Sequence, residues 1–213
     1  MKTCFPLNGA GNADICQGYV FKWKIKRLEG ENMRMRGESI FIKSLEECDA
    51  EAMVYLESKN RGFFQLYTAL REDDFYTLEG QKERIRKGNE KQELDEQYSF
   101  GIYLNETEEL IGSVTLSEVL RGPLQGCFIG YTLDKHHNGK GYMTEAVKLV
   151  VSYAFDELKL HRIEAGVMPH NIGSIKVLEK SGFHKEGIAR KNVKINGRWE
   201  DHQVLAIVND KDE

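Results

Sequence analysis

Residues 126–158 read GCFIGYTLDKHHNGKGYMTEAVKLVVSYAFDEL, and their order limits the fold more than any other stretch. An apolar, strand-like run ends at Leu133. A polar turn with two glycines, two histidines and two lysines follows. Then comes the clearest amphipathic helix pattern in the chain. Met143, Ala146, Val147, Val150, Val151, Ala154, Phe155 and Leu158 recur at three- and four-residue steps, and Thr144, Glu145, Lys148, Ser152 and Asp156 fill the other side. A strand that feeds a helix through so short a turn leaves bare main-chain N–H groups at the positive end of the helix dipole, where an anion is favoured. Glycine belongs there because a Cβ would hold a phosphate away from the main chain.

Three phosphate loops compete for this turn. A nucleotide-hydrolase loop needs GxxxxGK[ST], which the chain lacks. A dinucleotide fingerprint needs GxGxxG, but Gly139-Lys140-Gly141-Tyr142-Met143-Thr144 ends in threonine and has no suitably placed acidic residue downstream. A short glycine turn that cradles a pyrophosphate on main-chain N–H groups needs nothing the sequence does not have.

Alternation and periodicity place the other elements. Strands are expected at 39–45, 98–104, 110–119, 126–133 and 161–168, with helices at 46–59 and 74–92. The aromatic segment 60–70 reads as irregular. Asn171 caps a short helix that Gly182 ends. The tail carries an Asn196-Gly197 hairpin turn. This order predicts an α/β chain of mixed α+β character, with a mixed central sheet and helices on both faces. Residues 1–37 show no sustained period and read as an irregular arm, and residues 38–210 as the folded domain. "LEGENM" before Met33 is codable by a purine-rich stretch like a bacterial ribosome-binding site. One reading therefore starts translation at Met33 or Met35; the other keeps a genuine arm.

Composition narrows the class. The 213 residues carry a net charge of −4 with 40% hydrophobic residues, which argues against a general basic field for nucleic acid. No apolar run has the length of a membrane span. The four cysteines, Cys4, Cys16, Cys48 and Cys127, form no CxxC pair and read as free thiols in a reducing cytoplasm. His136 and His137 are adjacent with no Cys or His cluster around them, so no metal site is expected.

The turn resembles the acetyl-CoA loop of the GNAT N-acetyltransferases, whose pattern is Gln/Arg-x-x-Gly-x-Gly/Ala, with His136 here in the first place. "MPHNIGSIKVLEKSGF" (168–183) is similar to that family's second signature. "VLRGPLQGCFIGY", "LHRIEAGVMPHN" and "INGRWEDH" resemble the RimJ/RimL branch, which acetylates the N-termini of ribosomal proteins. The resemblance runs from about residue 39 to 208. It implies a fold in which strands 126–133 and 161–168 splay apart and the pantetheine arm of acetyl-CoA pairs with the exposed main chain like an added strand. By the same resemblance, Tyr131, Thr132 and Leu133 run along that arm. His136, His137, Asn138, Gly139, Lys140, Gly141 and Tyr142 wrap the pyrophosphate, and Asn171 holds the arm near its thiol.

The resemblance also implies direct attack of an amine on the thioester. Much of the family protonates the departing thiolate with a tyrosine seven residues after the asparagine. That position is Leu178, which cannot donate. Ser174, one helical turn earlier on the same face, is the candidate for a hydrogen bond to the sulfur; the plainer reading has it bond backbone near the helix cap. No general base announces itself. An α-amine, with a pKa of about 7.7–8.0, costs only about 1 kcal/mol to neutralise at pH 7, whereas a lysine amine at about 10.4 costs roughly 4–5 kcal/mol. An enzyme for N-termini can therefore lean on positioning and a water-mediated proton exit. Glu164, Glu118 and His170 are candidate relays, each with a surface role as the alternative. Residues 61–67 offer a substrate wall or core packing, and Trp199 a groove lining or a hairpin anchor.

The expected function is acetyl transfer from acetyl-CoA to the N-terminal amine of a protein, in first place a ribosomal one. The alternatives are a small-amine acceptor (a polyamine, amino acid or antibiotic) and a CoA-binding assembly factor without turnover. The expected partner is a protein N-terminus, with no membrane or nucleic acid, and the chain itself a monomer or homodimer.

Overall fold

The computed structural model describes residues 33–212. Of the arm expected over residues 1–37, residues 1–32, on which the two start-site readings differ, lie outside the described residues.

Among the described residues, eight strands form one sheet: β1 (Arg34–Arg36), β2 (Ile40–Ser44), β3 (Tyr98–Leu104), β4 (Leu110–Leu120), β5 (Gly126–Leu133), β6 (Arg162–Val167), β7 (His184–Ile195) and β8 (Arg198–Val208), in the spatial order β1-β2-β3-β4-β5-β6-β8-β7. All neighbours are antiparallel except β5 and β6. Four α-helices of the described residues cover it: α1 (Ala50–Phe64), α2 (Leu78–Glu93), α3 (Tyr142–Asp156) and α4 (Ile172–Lys180).

Strand alternation decides which helix meets which face. In β2, Ile40 and Ile42 join Phe100 and Ile102 of β3 in a core shared with α3 and α4, whose Val147, Val150, Ala154 and Leu178 are buried there. Phe41, between the two isoleucines, points the other way. It joins Tyr103, and Met53 and Leu56 of α1, in a second core. The Phe41 and Tyr103 rings stack with centroids 5.0 Å apart. The sheet is therefore apolar on both faces, the mixed layered architecture that the element order predicts.

Four boundaries differ from the sequence expectation. The helix expected from residue 74 opens as a 3-10 turn over Asp73–Tyr76 and becomes α2 only at Leu78. Arg34–Arg36 pairs with Phe41–Lys43, and Met35 is buried, so the sheet begins inside the segment read as irregular. Residues 47–49 form a 3-10 turn before α1, closed by Asp49, whose carboxylate accepts from the Glu46 N–H at 2.9 Å. At its other end α1 continues to Phe64, four residues past the expected aromatic break. Asn60 and Phe64 follow Leu56 at successive four-residue steps, so burial of that face carries the helix past Gly62. At the tail, Asn196 and Gly197 both have positive φ, 49° and 82°, the geometry of the expected two-residue hairpin turn between β7 and β8.

Candidate active site

The parallel pair β5–β6 holds together for only three residues: Gly126, Cys127 and Phe128 pair with Arg162, Ile163 and Glu164. Beyond them Ile129–Leu133 pairs with β4 alone and Ala165–Val167 with β8 alone. The two strands splay and leave main-chain N–H and C=O groups facing a wedge, the kind of edge an amide-bearing chain fills. A cavity of about 1310 Å³ opens around this wedge. One half is bounded by β5, the glycine turn and α4, the other by α1, α2 and the segment between them.

The turn after β5 is built around Asp134. This residue is 1% exposed, and its carboxylate gathers three partners from two directions. It accepts from Lys59 Nζ of α1 at 2.7 Å and from the His136 N–H at 3.2 Å, and it meets His137 Nδ1 at 3.3 Å. Burial works to raise its pKa, but Lys59, the His136 N–H and His137 together outweigh that and hold it down at about 2. Next to Lys59 on α1, Asn60 accepts from the Lys135 N–H at 3.1 Å. Helix α1 thus clamps the turn from outside.

This clamp divides the expected cradle. The main-chain N–H groups of His136, His137 and Asn138 turn inward, to the Asp134 carboxylate, the Asp134 carbonyl and the Lys135 carbonyl. Those from Gly139 to Thr144 meet no protein acceptor among the described residues. Gly139 and Gly141 have φ of 79° and 89°, the left-handed conformation that aims consecutive N–H groups the same way, and Gly141 caps α3. The amides available to a pyrophosphate are therefore those of Gly139, Lys140, Gly141, Tyr142 and the first turn of α3. His136 and Lys140 have exposed side chains and do not line the cavity, whereas those of His137, Asn138 and Tyr142 do.

Along β5 the alternation sends neighbours to opposite faces. Thr132 turns to the α1–α2 side, where its hydroxyl meets Ser113 at 3.1 Å, and Leu133 is buried. Tyr131 turns to α4. Its hydroxyl lies 2.9 Å from Ser174 Oγ and donates to the Ser174 carbonyl at 3.1 Å. Asn171 fixes the same turn, its side-chain carbonyl accepting from the Ser174 N–H at 3.2 Å. Ser174 therefore has its N–H spent on the helix cap while its hydroxyl faces a phenol. Burial pushes the Tyr131 hydroxyl up to about 12, so it keeps its proton at neutral pH and is a donor. Leu178 is fully buried in the core and lends the site no donor.

The sequence's candidate relays fare differently. Glu164 does not line the cavity. Its carboxylate accepts from Arg162 Nε at 2.8 Å, and Arg162 is also bound by both carboxylate oxygens of Glu186. Arg162 thus bridges the two carboxylates, and Glu164 is held in that ion-pair cluster. Glu118 sits exposed at a bulge in β4 with φ 52°. His170 does line the cavity, its ring centroid 5.9 Å from that of Tyr67. Phe63, Phe64 and Tyr67 line it as well, so the aromatic segment is a wall, and Phe64 also packs in the interior. Trp199 is exposed and off the cavity. The hairpin tip reaches this wall: Gln65 donates to Asn196 Oδ1 at 2.6 Å, and Asn196 donates to the Gln65 carbonyl at 2.9 Å.

Sequence reasoning passed over Asp134, Lys59 and Asn60. The one available signal was an acidic residue just before a turn that should attract anions. Among the described residues no group of three or more His, Cys, Asp or Glu side chains is placed to hold a metal ion, and no helix is long and apolar enough to cross a membrane.

The acetyltransferase (GNAT) domain family matches residues 40–184. The probable N-acetyltransferase YjcK of Bacillus subtilis (strain 168) is 62% identical over 179 residues, 84% of this chain and 99% of that one. The [ribosomal protein uS5]-alanine N-acetyltransferase of Escherichia coli (strain K12) is 30% identical over 175 residues, 82% of this chain and 90% of that one. Among solved structures, the ribosomal-protein-S5-alanine acetyltransferase of Vibrio fischeri superposes with a TM-score of 0.81 at 32% identity, covering 84% of this chain and 98% of that one. The Mycobacterium smegmatis RimJ structure, in complex with CoA-disulfide, gives 0.77 at 24% identity over 81% and 83%, a likeness of fold.

Proposed function

The chain belongs to the GNAT acetyltransferase family, with acetyl-CoA as its acetyl donor, and from that premise we propose that it acetylates the N-terminal α-amine of a ribosomal protein. The observation that carries the mechanism is the hydroxyl pair Tyr131–Ser174 at the edge of the splayed strands, 2.9 Å apart. The residues present fit the donor substrate. Free N–H groups from Gly139 to Thr144 suit the pyrophosphate, the unpaired edge of β5 suits the pantetheine amides, and α4 stands at the far end, where the thioester would lie.

On this reading the neutral amine attacks the thioester carbonyl, the carbon–sulfur bond breaks, and the sulfur leaves as a thiolate. Ser174 hydrogen-bonds that thiolate as its charge develops, where a positioned donor contributes most, and Tyr131 holds the serine in place through its carbonyl and hydroxyl. The proton lost by the attacking nitrogen balances the one the sulfur gains, so the pair needs no net change. Tyr131 thus positions, from a strand, the donor that position 178 of the helix lacks.

The acceptor assignment is supported by the Escherichia coli relative, which acts on the alanine end of uS5 and is similar across 82% of this chain. It is also supported by chemistry: an α-amine is partly neutral at pH 7, so its acetylation needs no strong base. The working place on this reading is the cytoplasm, where ribosomal proteins and acetyl-CoA meet. An acceptor screen tests it. Peptides beginning with Ala or Ser outrun polyamines, free amino acids and aminoglycosides in CoA release. The reverse order defeats the protein-acceptor reading, and CoA release at background with every acceptor defeats the enzyme reading.

A further inference from the structure

The acceptor half holds a carboxylate to which acetyl transfer, as described above, assigns no task. Glu57 of α1 lines the cavity yet is only 7% exposed. It makes no hydrogen bond or ion pair among the described residues. Three residues on along the same face of α1, Asn60 holds the glycine turn, so the helix that clamps the cofactor loop also carries Glu57 into the other half of the cavity. The sheet floor there is polar: Ser99 meets Thr115 at 3.3 Å and Ser113 meets Thr132 at 3.1 Å. Arg84 and Arg71, which also line the cavity, favour the Glu57 anion, but burial is the larger influence and pushes its carboxyl up. A buried carboxylate without a hydrogen-bond donor is costly, and an ammonium group that donates to it removes that cost.

We propose that Glu57 is the anchor for the acceptor's ammonium group, receiving an N-terminal –NH₃⁺ from the α1–α2 side of the sheet before acetyl transfer. This rests on the reading that the acceptor is a protein N-terminus, and it names the residue that selects the amine. An α-amine at about 7.7–8.0 arrives mostly protonated at pH 7, so the site must recognise a cation first and release its proton afterwards. Glu57 performs the recognition and the hydroxyl pair at Tyr131 and Ser174 serves the leaving sulfur.

Calorimetry on the full chain saturated with CoA tests this with two peptides beginning in Ala, identical except that one has hydrogen in place of its α-amine. The wild type binds the amine peptide at least about tenfold more tightly than its des-amino twin. Glu57→Gln binds the two alike, with CoA affinity unchanged. If Glu57→Gln fails to fold, Glu57→Asp, which keeps the charge but withdraws it by one methylene, shows a reduced preference. Equal binding of the two peptides by a wild type that acetylates the amine peptide overturns the role of Glu57. A full preference retained in Glu57→Gln, or in Glu57→Asp where that variant replaces it, overturns it as well. A wild type that neither binds nor acetylates the amine peptide overturns the protein-acceptor reading instead.

Discussion

On the proposed function, the two halves of the cavity recognise their ligands with different parts of the chain. The cofactor half works with main chain: splayed strand edges, left-handed glycines and the free N–H groups that open α3. The acceptor half works with side chains: Glu57, Arg84, the wall of Phe63, Phe64 and Tyr67, and the amide clasp between Gln65 and Asn196. Main-chain recognition depends on conformation and tolerates changes of side chain. Side-chain recognition depends on identity and changes with the acceptor. One fold can therefore keep its donor fixed while its acceptor varies.

The strongest way to break this contrast is to spoil main-chain geometry without touching a side chain. Gly141→Val forces a β-branched residue to φ 89° and puts methyl groups where the pyrophosphate approaches. The dissociation constant for acetyl-CoA, measured by calorimetry, rises on the order of 100-fold. A change below about threefold would mean the cradle is not main chain at all.

At the seam between the halves, Ser174→Ala and Tyr131→Phe each lower kcat by about 10- to 100-fold and leave acetyl-CoA affinity within about threefold. The double variant is no worse than the poorer single one, since the two hydroxyls act as a unit. Independent, multiplying losses would separate the pair into two unrelated roles.

Asp134→Asn weakens the clamp and not the cradle itself, so its effect is smaller. Acetyl-CoA binds about tenfold more weakly, and the fold loses about 1–2 kcal/mol at pH 7, read by denaturant titration. The pH dependence has a definite sign. The folded-state pKa of Asp134 is depressed to about 2, so its contribution is complete above the ordinary carboxylate range and is lost as pH falls from about 4 towards 2. The asparagine variant lacks that part of the acid-unfolding curve.

The mildest change falls on the acceptor side. Asn196→Ala removes the clasp to Gln65, and the KM for an acceptor peptide rises about two- to fivefold while acetyl-CoA affinity stays the same. Equal effects on both substrates would show that the hairpin tip supports the whole cavity and not one half.

Legibility followed the same division. Periodicity placed α3 and the strands β2 to β6, and cap and turn residues placed α4 and the β7–β8 hairpin, because both kinds of signal are written locally. Local pattern read α1 as ending at Lys59; tertiary burial of Phe64 carried it on, just as pairing with β2 made a strand of Arg34–Arg36. Glu164 sat correctly on its strand two residues from Arg162, but only the packed structure brought Glu186 to that arginine and left Glu164 off the cavity.

By itself the sequence determined the donor side: a strand, two glycines and an amphipathic helix in that order leave unpaired N–H groups at a helix start, and no distant residue is needed to make them. The tertiary structure alone decided the rest. It brought Lys59 and Asn60 to the glycine turn across some 75 residues, set Tyr131 against Ser174 from a different element, and buried Glu57 beside Arg84. Those contacts join residues whose separation along the chain carries no periodic signal, and they exist only once both faces of the sheet have been covered.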